Sequence, residues 1–268
     1  MLASELQLLF GRARTRVALA TLAFFPVLLA VAVKLSGGPS ARGDEGPAFL
    51  AQVSHNGVFA AMAGLTVVLP FFLPLGVALI AGDTIAGEAG MGTLRSLLVR
   101  PVGRTRVLLS KLASAGVFCL AAAGVVALSG LAAGALLFPL GRVTTLSGTT
   151  VPLFNGMLRA LTAAGVVGLS MLGLASIGLF ISTLTDSAIA AMAATAGVAI
   201  LSEVLDAVPQ LHAIQPALFT HYWTAFGDLM RTSGSSGAIE RDLLLQLAWV
   251  VVFGLAAWAR FTTKDVLA

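Results

Sequence analysis

Six apolar runs constrain this chain more than any other feature. They fall at about 17–35, 57–81, 107–138, 160–184, 188–205 and 242–260. A hydrocarbon core roughly 30 Å thick takes about 20 helical residues to cross, so the runs are of spanning length. Inside a bilayer no water satisfies a backbone N–H or C=O, which leaves helices and closed barrels as the only spanning structures. Barrel strands would alternate in polarity over about ten residues. These runs are instead continuous Ala, Leu, Val and Gly. Composition agrees: 58% of residues are hydrophobic and 10% charged, where soluble domains carry about 25% charged. The chain therefore reads as an all-α membrane protein of six transmembrane helices. One transmembrane domain covers 1–268, with little room for a soluble domain.

The segments between the runs carry their own signals. Residues 2–11 set Leu2, Leu6, Leu9 and Phe10 on one helical face and Glu5 on another. That is the pattern of an N-terminal amphipathic helix lying in the interface. Arg12, Arg14 and Arg16 follow. A basic stretch before an apolar run also opens a signal peptide. Here the run is long, holds Pro26 at its middle and meets no small-x-small site before Lys34, so a retained first span is expected. Residues 36–56, rich in Gly, Pro and charge, read as a loop. Pro70 and Pro74 in the second run predict a kinked helix, either a hinge or a fixed bend. Gly130 and Gly134 in the third run form a small-xxx-small pair suited to close helix contact. Residues 139–158 read as a loop. After the fifth run, Phe219, Tyr222, Trp223, Phe226, Leu229 and Met230 recur at helical spacing opposite Thr220, His221, Thr224, Asp228 and Arg231. An amphipathic helix at the outer interface is expected there.

The stretch 83–111, DTIAGEAGMGTLRSLLVRPVGRTRVLLSK, is polar and strongly basic. With both termini cytoplasmic, ten of the sixteen Lys and Arg residues lie inside: Arg12, Arg14, Arg16, Arg95, Arg100, Arg104, Arg106, Lys111, Arg260 and Lys264. Six lie outside: Lys34, Arg42, Arg142, Arg159, Arg231 and Arg241. Basic residues favour the cytoplasmic side. A multi-pass protein of the inner (plasma) membrane with both termini cytoplasmic is expected. The pI near 10.0 follows from the same flanking charges and does not call for nucleic acid.

Catalytic signals are missing from the sequence. His55, His212 and His221 all fall in predicted outer segments without metal-ligand spacing, and neither HExxH nor GxSxG occurs. No span holds a histidine that could activate Ser170 or Ser176 as a nucleophile. Cys119 is the single cysteine and lies in an apolar run. Glu203 is read as the one carboxylate within a span and hence a candidate substrate or pathway residue. No GxxxxGK[ST] loop is present, so this chain does not cradle nucleotide phosphates in that way.

Within 83–111, Asp83, Glu88, Gly92, Thr93, Leu94, Leu97, Leu98, Pro101, Arg104 and Lys111 match, in type and spacing, a pattern of an acidic residue, E-x-x-x-G-T-L-x-x-L-L-x-x-P-x-x-R and a lysine. In this stretch the chain resembles the permease subunits of type-2 ABC exporters. The remainder agrees in layout, down to a terminal F-x-x-K-D at Phe261, Lys264 and Asp265. Locally, Thr93 can cap a short helix whose Leu94, Leu97 and Leu98 share one face and which Pro101 ends. The resemblance implies a cytoplasmic coupling helix seated on a nucleotide-binding ATPase subunit, with coupling region 83–106. It further implies no enzymatic activity and no cofactor in this chain, ATP and Mg²⁺ in the partner, and pairing with a second permease copy or a homologous permease. The expected function is the membrane-spanning permease of an ATP-binding cassette exporter, moving a hydrophobic or lipid-like substrate. A secondary transporter and a non-transporting anchor or sensor subunit stay open beside it.

Overall fold

The computed structural model describes residues 2–36, 52–90, 103–145, 147–231 and 237–263. Among them, six helical segments are long and apolar enough to cross a membrane, and the protein is an all-α membrane protein. The short helix α1 (Leu2–Gly11) leads into α2 (Ala13–Leu35), the first crossing. Helices α3 (Phe59–Val68) and α4 (Phe72–Gly90) follow. Next come α5 (Arg104–Leu137), a hairpin of β1 (Val143–Thr144) and β2 (Thr150–Val151), and α6 (Leu153–Ser170) with α7 (Leu172–Leu184). The chain continues through α8 (Ala188–Asp206), three 3₁₀ turns ending in Trp223–Met230, and α9 (Gly237–Thr263).

The second run is two helices where one kinked span was expected. Pro70 lies in the gap after α3; without an N–H, and with its ring against the preceding turn, it cannot continue a helix. Pro74 is the third residue of α4, where the N–H it lacks would have no intrahelical partner. Helix α4 then runs to Gly90, past the predicted end of the span at 81, so Asp83 and Glu88 stand on a helix. Helix α5 has 34 residues and rises about 51 Å, more than one hydrocarbon thickness, so in a bilayer it either tilts or extends past the hydrocarbon core. The tight turn after α7 works because Ser187 caps α8, its Oγ accepting from the N–H of Ala190 at 3.3 Å.

The core sits where α3, α5 and α6 meet, around Phe59, Met62, Phe118 and Met171. Small residues let the backbones touch there. A Cβ on Gly134 would collide with the backbone of Gly57, and one on Gly130 with Ala61. The small-xxx-small pair is thus a real contact face between α5 and the start of α3. At the outer end, the Asn56 side-chain amide donates to Gly141 O at 3.2 Å and Arg142 O at 3.3 Å, and Gly57 N–H donates to Pro139 O at 3.1 Å.

The segment between the fifth and sixth crossings is helical, as three 3₁₀ turns in place of one amphipathic helix, and its position differs from the expected interface. Phe219, Trp223, Phe226 and Met230 are buried in the main core rather than laid on lipid. Trp223 Nε1 donates to Ser170 O at 3.1 Å, and Trp249 Nε1 to Ala217 O at 3.2 Å. The sequence period is right for an amphipathic element, but the apolar face meets protein.

Candidate functional site

Charges converge at the end of the bundle that holds the start of α2, the end of α4, the start of α5 and the end of α9. Lys111, four helical residues past the Val107 edge of the third run, is 1% exposed. A buried ammonium needs hydrogen-bonded anions. Its Nζ donates to Glu88 Oε1 at 2.6 Å and to Thr84 O at 3.1 Å, and Glu5 Oε2 of α1 is 3.7 Å away. Thr84 and Glu88 are four residues apart on α4, so one helical face presents both acceptors.

Asp83, 5% exposed, faces the other way. It accepts from Arg12 Nη1 at 3.0 Å and is also paired with Arg14. Gly87 makes room for it: a Cβ there would occupy the space of the Asp83 carboxylate. The N–H groups of Ile85 and Ala86 meet Ser182 Oγ of α7 at 2.9 and 2.8 Å. Arg104 Nη1 donates to Thr262 O at 2.9 Å and Phe261 O at 3.3 Å, satisfying carbonyls that the end of α9 leaves without helical partners. The last turns of α4 and the first turns of α5 are thereby tied to α1, α2, α7 and α9. The cleft between α1, Lys111, Glu88 and Asp83 encloses about 30 Å³, room for about one water, and a second of about 370 Å³ lies where Arg12, Arg14 and Asp83 face Gly90 and Asp186.

Of the expected coupling residues, the structure brings Glu88 into this network and places Arg104 at the end of α9. Gly92, Thr93, Leu94, Leu97, Leu98 and Pro101 lie outside the described residues. Glu203 is half-buried near the end of α8. Close by, His221 Nδ1 and Asp206 Oδ1 are 2.6 Å apart.

Glu203 is not the one carboxylate within a span. Asp242 of α9 is fully buried. Its Oδ2 meets Ser170 Oγ, and its Oδ1 accepts from Gln246 Nε2 at 3.0 Å. The same Nε2 donates to Phe219 O at 2.7 Å, while Gln246 Oε1 finds no donor among the described residues. A Cβ on Gly173 would strike Gln246 Oε1, so α7 and α9 approach closely there. This cluster escaped sequence reasoning because Asp242 stands at the very edge of the sixth run, 242–260, where a charge reads as flanking the span. The signal was present: Asp242, Gln246 and Trp249 fall at i, i+4 and i+7, one polar stripe on an apolar helix. No group of three or more His, Cys, Asp or Glu side chains that could hold a metal occurs among the described residues.

Comparison with known proteins agrees with this architecture. Over 66 residues the chain is 44% identical to a probable ABC transporter permease protein, NosY, of Pseudomonas aeruginosa. That alignment takes in 25% of this chain and 24% of the relative, so this chain matches about a quarter of the curated relative's length. The match to a family model is far longer. It extends over residues 11–266, from the arginines that bind Asp83 past the carbonyls that Arg104 caps, and the chain belongs to the ABC-2 family of transporter proteins.

Proposed function

We propose that this transport permease is the membrane subunit of an ATP-driven exporter. Two copies, or this chain with a homologous permease, would form the pathway, and two nucleotide-binding ATPase subunits would attach on the cytoplasmic side, where both termini lie. ATP and Mg²⁺ would be held by those partners, whose chemistry is hydrolysis. This chain's part is mechanical. Glu88, Gly92, Thr93, Leu94, Leu97, Leu98, Pro101 and Arg104 form the coupling region, with the leucine face of 94–98 seated on the ATPase.

One observation supports this reading above the others. The two helices bracketing residues 91–102 are cross-linked where they meet that connection, by Lys111 with Glu88 at 2.6 Å. Asp83, one and a half turns earlier on α4, binds Arg12 and Arg14 at the start of α2. A displacement of the connection would be passed to α2, α4 and α5 together instead of being lost in a loose loop. Apolar spans relieved by Ser, Thr and Gly suit a hydrophobic or lipid-like cargo.

The test is a Glu88→Arg, Leu97→Asp double variant, inserted in the membrane at wild-type level with its ATPase partner. Loss of partner-stimulated ATP hydrolysis and of export is expected; full retention of both would sink the coupling role. A second reading rests on Asp242. A transporter working without ATP needs a buried ionisable group, and Asp242 is one. Transport that persists with a hydrolysis-deficient ATPase partner would favour that reading.

A further inference from the structure

The outward flank of α5 carries two grooves that the transport reading does not use. One, about 410 Å³, runs between α5, α7 and α9 and is lined by apolar side chains, among them Leu108, Leu112, Leu179, Val251 and Leu255. Trp258 and Thr105 close its end, Trp258 Nε1 donating to Thr105 Oγ1 at 2.9 Å. The other, about 470 Å³, lies between α5 and the start of α1 and is lined by Leu2, Arg106, Leu109, Ser110 and Ala113. Leu109 belongs to both and is 58% exposed. It forms a ridge with a groove on either side.

We infer that this ridge is the seat of one anionic phospholipid of the bilayer, one acyl chain in each groove and the headgroup phosphate on Arg106. Three features specify that occupant. The groove between α5, α7 and α9 is apolar almost throughout, the other sets Leu2, Leu109 and Ala113 beside Arg106 and Ser110, and each is within the 300–1,000 Å³ range of ligand sites. The positive charge lies on the second groove, one residue from Thr105 at the end of the first: Arg106 is exposed and makes no side-chain ion pair with a described residue. Beside it, Thr105 Oγ1 already accepts from Trp258, which leaves its own proton to donate to a phosphate oxygen. The depth also fits. Helix α1 turns Leu2 and Leu8 outward, 41% and 60% exposed, as an element lying at the headgroup boundary does. Trp258 stands in the last two turns of α9, and tryptophan favours the membrane interface. A zwitterionic lipid would fill the grooves equally well but would gain less from Arg106.

The experiment uses the full chain in phosphatidylcholine vesicles containing brominated lipids, with tryptophan quenching as the readout. The component lost in Trp258→Phe reports this site. Brominated phosphatidylglycerol is expected to quench Trp258 with about five-fold higher relative affinity than brominated phosphatidylcholine, the gain expected from about one basic contact at a charged surface. Arg106→Gln is expected to bring that ratio to about one. Gly254→Phe fills the groove between α5, α7 and α9, since a Cβ there meets open space; it is expected to lower the ratio with Arg106 in place. Equal quenching by both lipids in the wild type overturns the site, as does a preference that survives Arg106→Gln or is untouched by Gly254→Phe. Protection of Trp258 from both lipids also overturns it, because a helix of another subunit would then cover the flank.

Discussion

Lys111 shows why single residues decide the behaviour of this protein. Its ammonium is buried where an uncompensated charge is very costly, and Glu88 and Thr84 O compensate it. Lys111→Met removes the cation that faces the largely buried Glu88 carboxylate. That variant is expected to lose about 3–5 kcal/mol, the usual cost of breaking a buried pair from one side. Adding Glu88→Gln should restore a large part, because the carboxylate that faced Lys111 is then neutral as well. Thermal unfolding in detergent of the two single variants and the double variant measures the coupling. Additive losses would mean that the two side chains do not act as a pair. Asp242 gives a second contrast. Asp242→Asn keeps a group that can meet Ser170 and Gln246, whereas Asp242→Leu leaves both without that partner. The leucine variant is expected to be less stable than the asparagine variant by about 1–3 kcal/mol. It should also raise protease cleavage in the 207–231 segment, since Gln246 and Trp223 hold that segment down.

Helices were legible in the sequence to the extent that composition alone determines them. Six apolar runs give six crossings because the bilayer leaves the backbone no other way to satisfy its polar groups. Partners were less legible. Lys111 looked like an isolated charge inside an apolar run, and its anions come from residues 84–88 and from α1, which only folding brings near. The break at Pro70 and the extension of α4 to Gly90 followed a similar course. Proline announces a disturbance, but packing decides whether it bends or ends the helix. The outer aromatic segment had the right period and the wrong neighbour assigned, since an amphipathic pattern reports one apolar face and not what covers it. Glycines on α5 give a test of packing at this level. A Cβ on Gly134 meets the Gly57 backbone, while one on Gly124 of the same helix meets nothing within 4 Å. Gly134→Ala is expected to destabilise by about 1–3 kcal/mol, as overpacking does. Gly124→Ala should be neutral or gain up to about 1 kcal/mol from helix propensity. Thermal shifts of equal sign and size for the two would refute close contact at Gly134.

Across the bundle, charge is distributed unevenly between the two ends, and this asymmetry sets how the protein sits in the membrane. The end that holds the start of α2 and the end of α9 carries, among the described residues, Arg12, Arg14, Arg16, Arg104, Arg106, Lys111 and Arg260. Three of these charges are partly neutralised there: Arg12 and Arg14 by Asp83, and Lys111 by Glu88. The opposite end carries, among the described residues, Lys34, Arg142, Arg159, Arg231 and Arg241, and Arg231 lies 3.3 Å from Asp228. The orientation rule counts Lys and Arg and gives little weight to acids, so neutralisation by Asp83 and Glu88 does not cancel the bias. The end with the termini is therefore expected in the cytoplasm, the side on which an ATPase partner could reach residues 91–102. Cysteine labelling checks it with little background, because the native Cys119 is fully buried. Gly103 and Gly141 are exposed, lie at opposite ends, and have open space where a side chain would start. In intact cells a membrane-impermeant maleimide is expected to modify Gly141→Cys and to spare Gly103→Cys until the membrane is permeabilised. The reverse pattern would place the coupling region outside, beyond the reach of cytoplasmic ATP, and would overturn the orientation and the ATP-driven mechanism together.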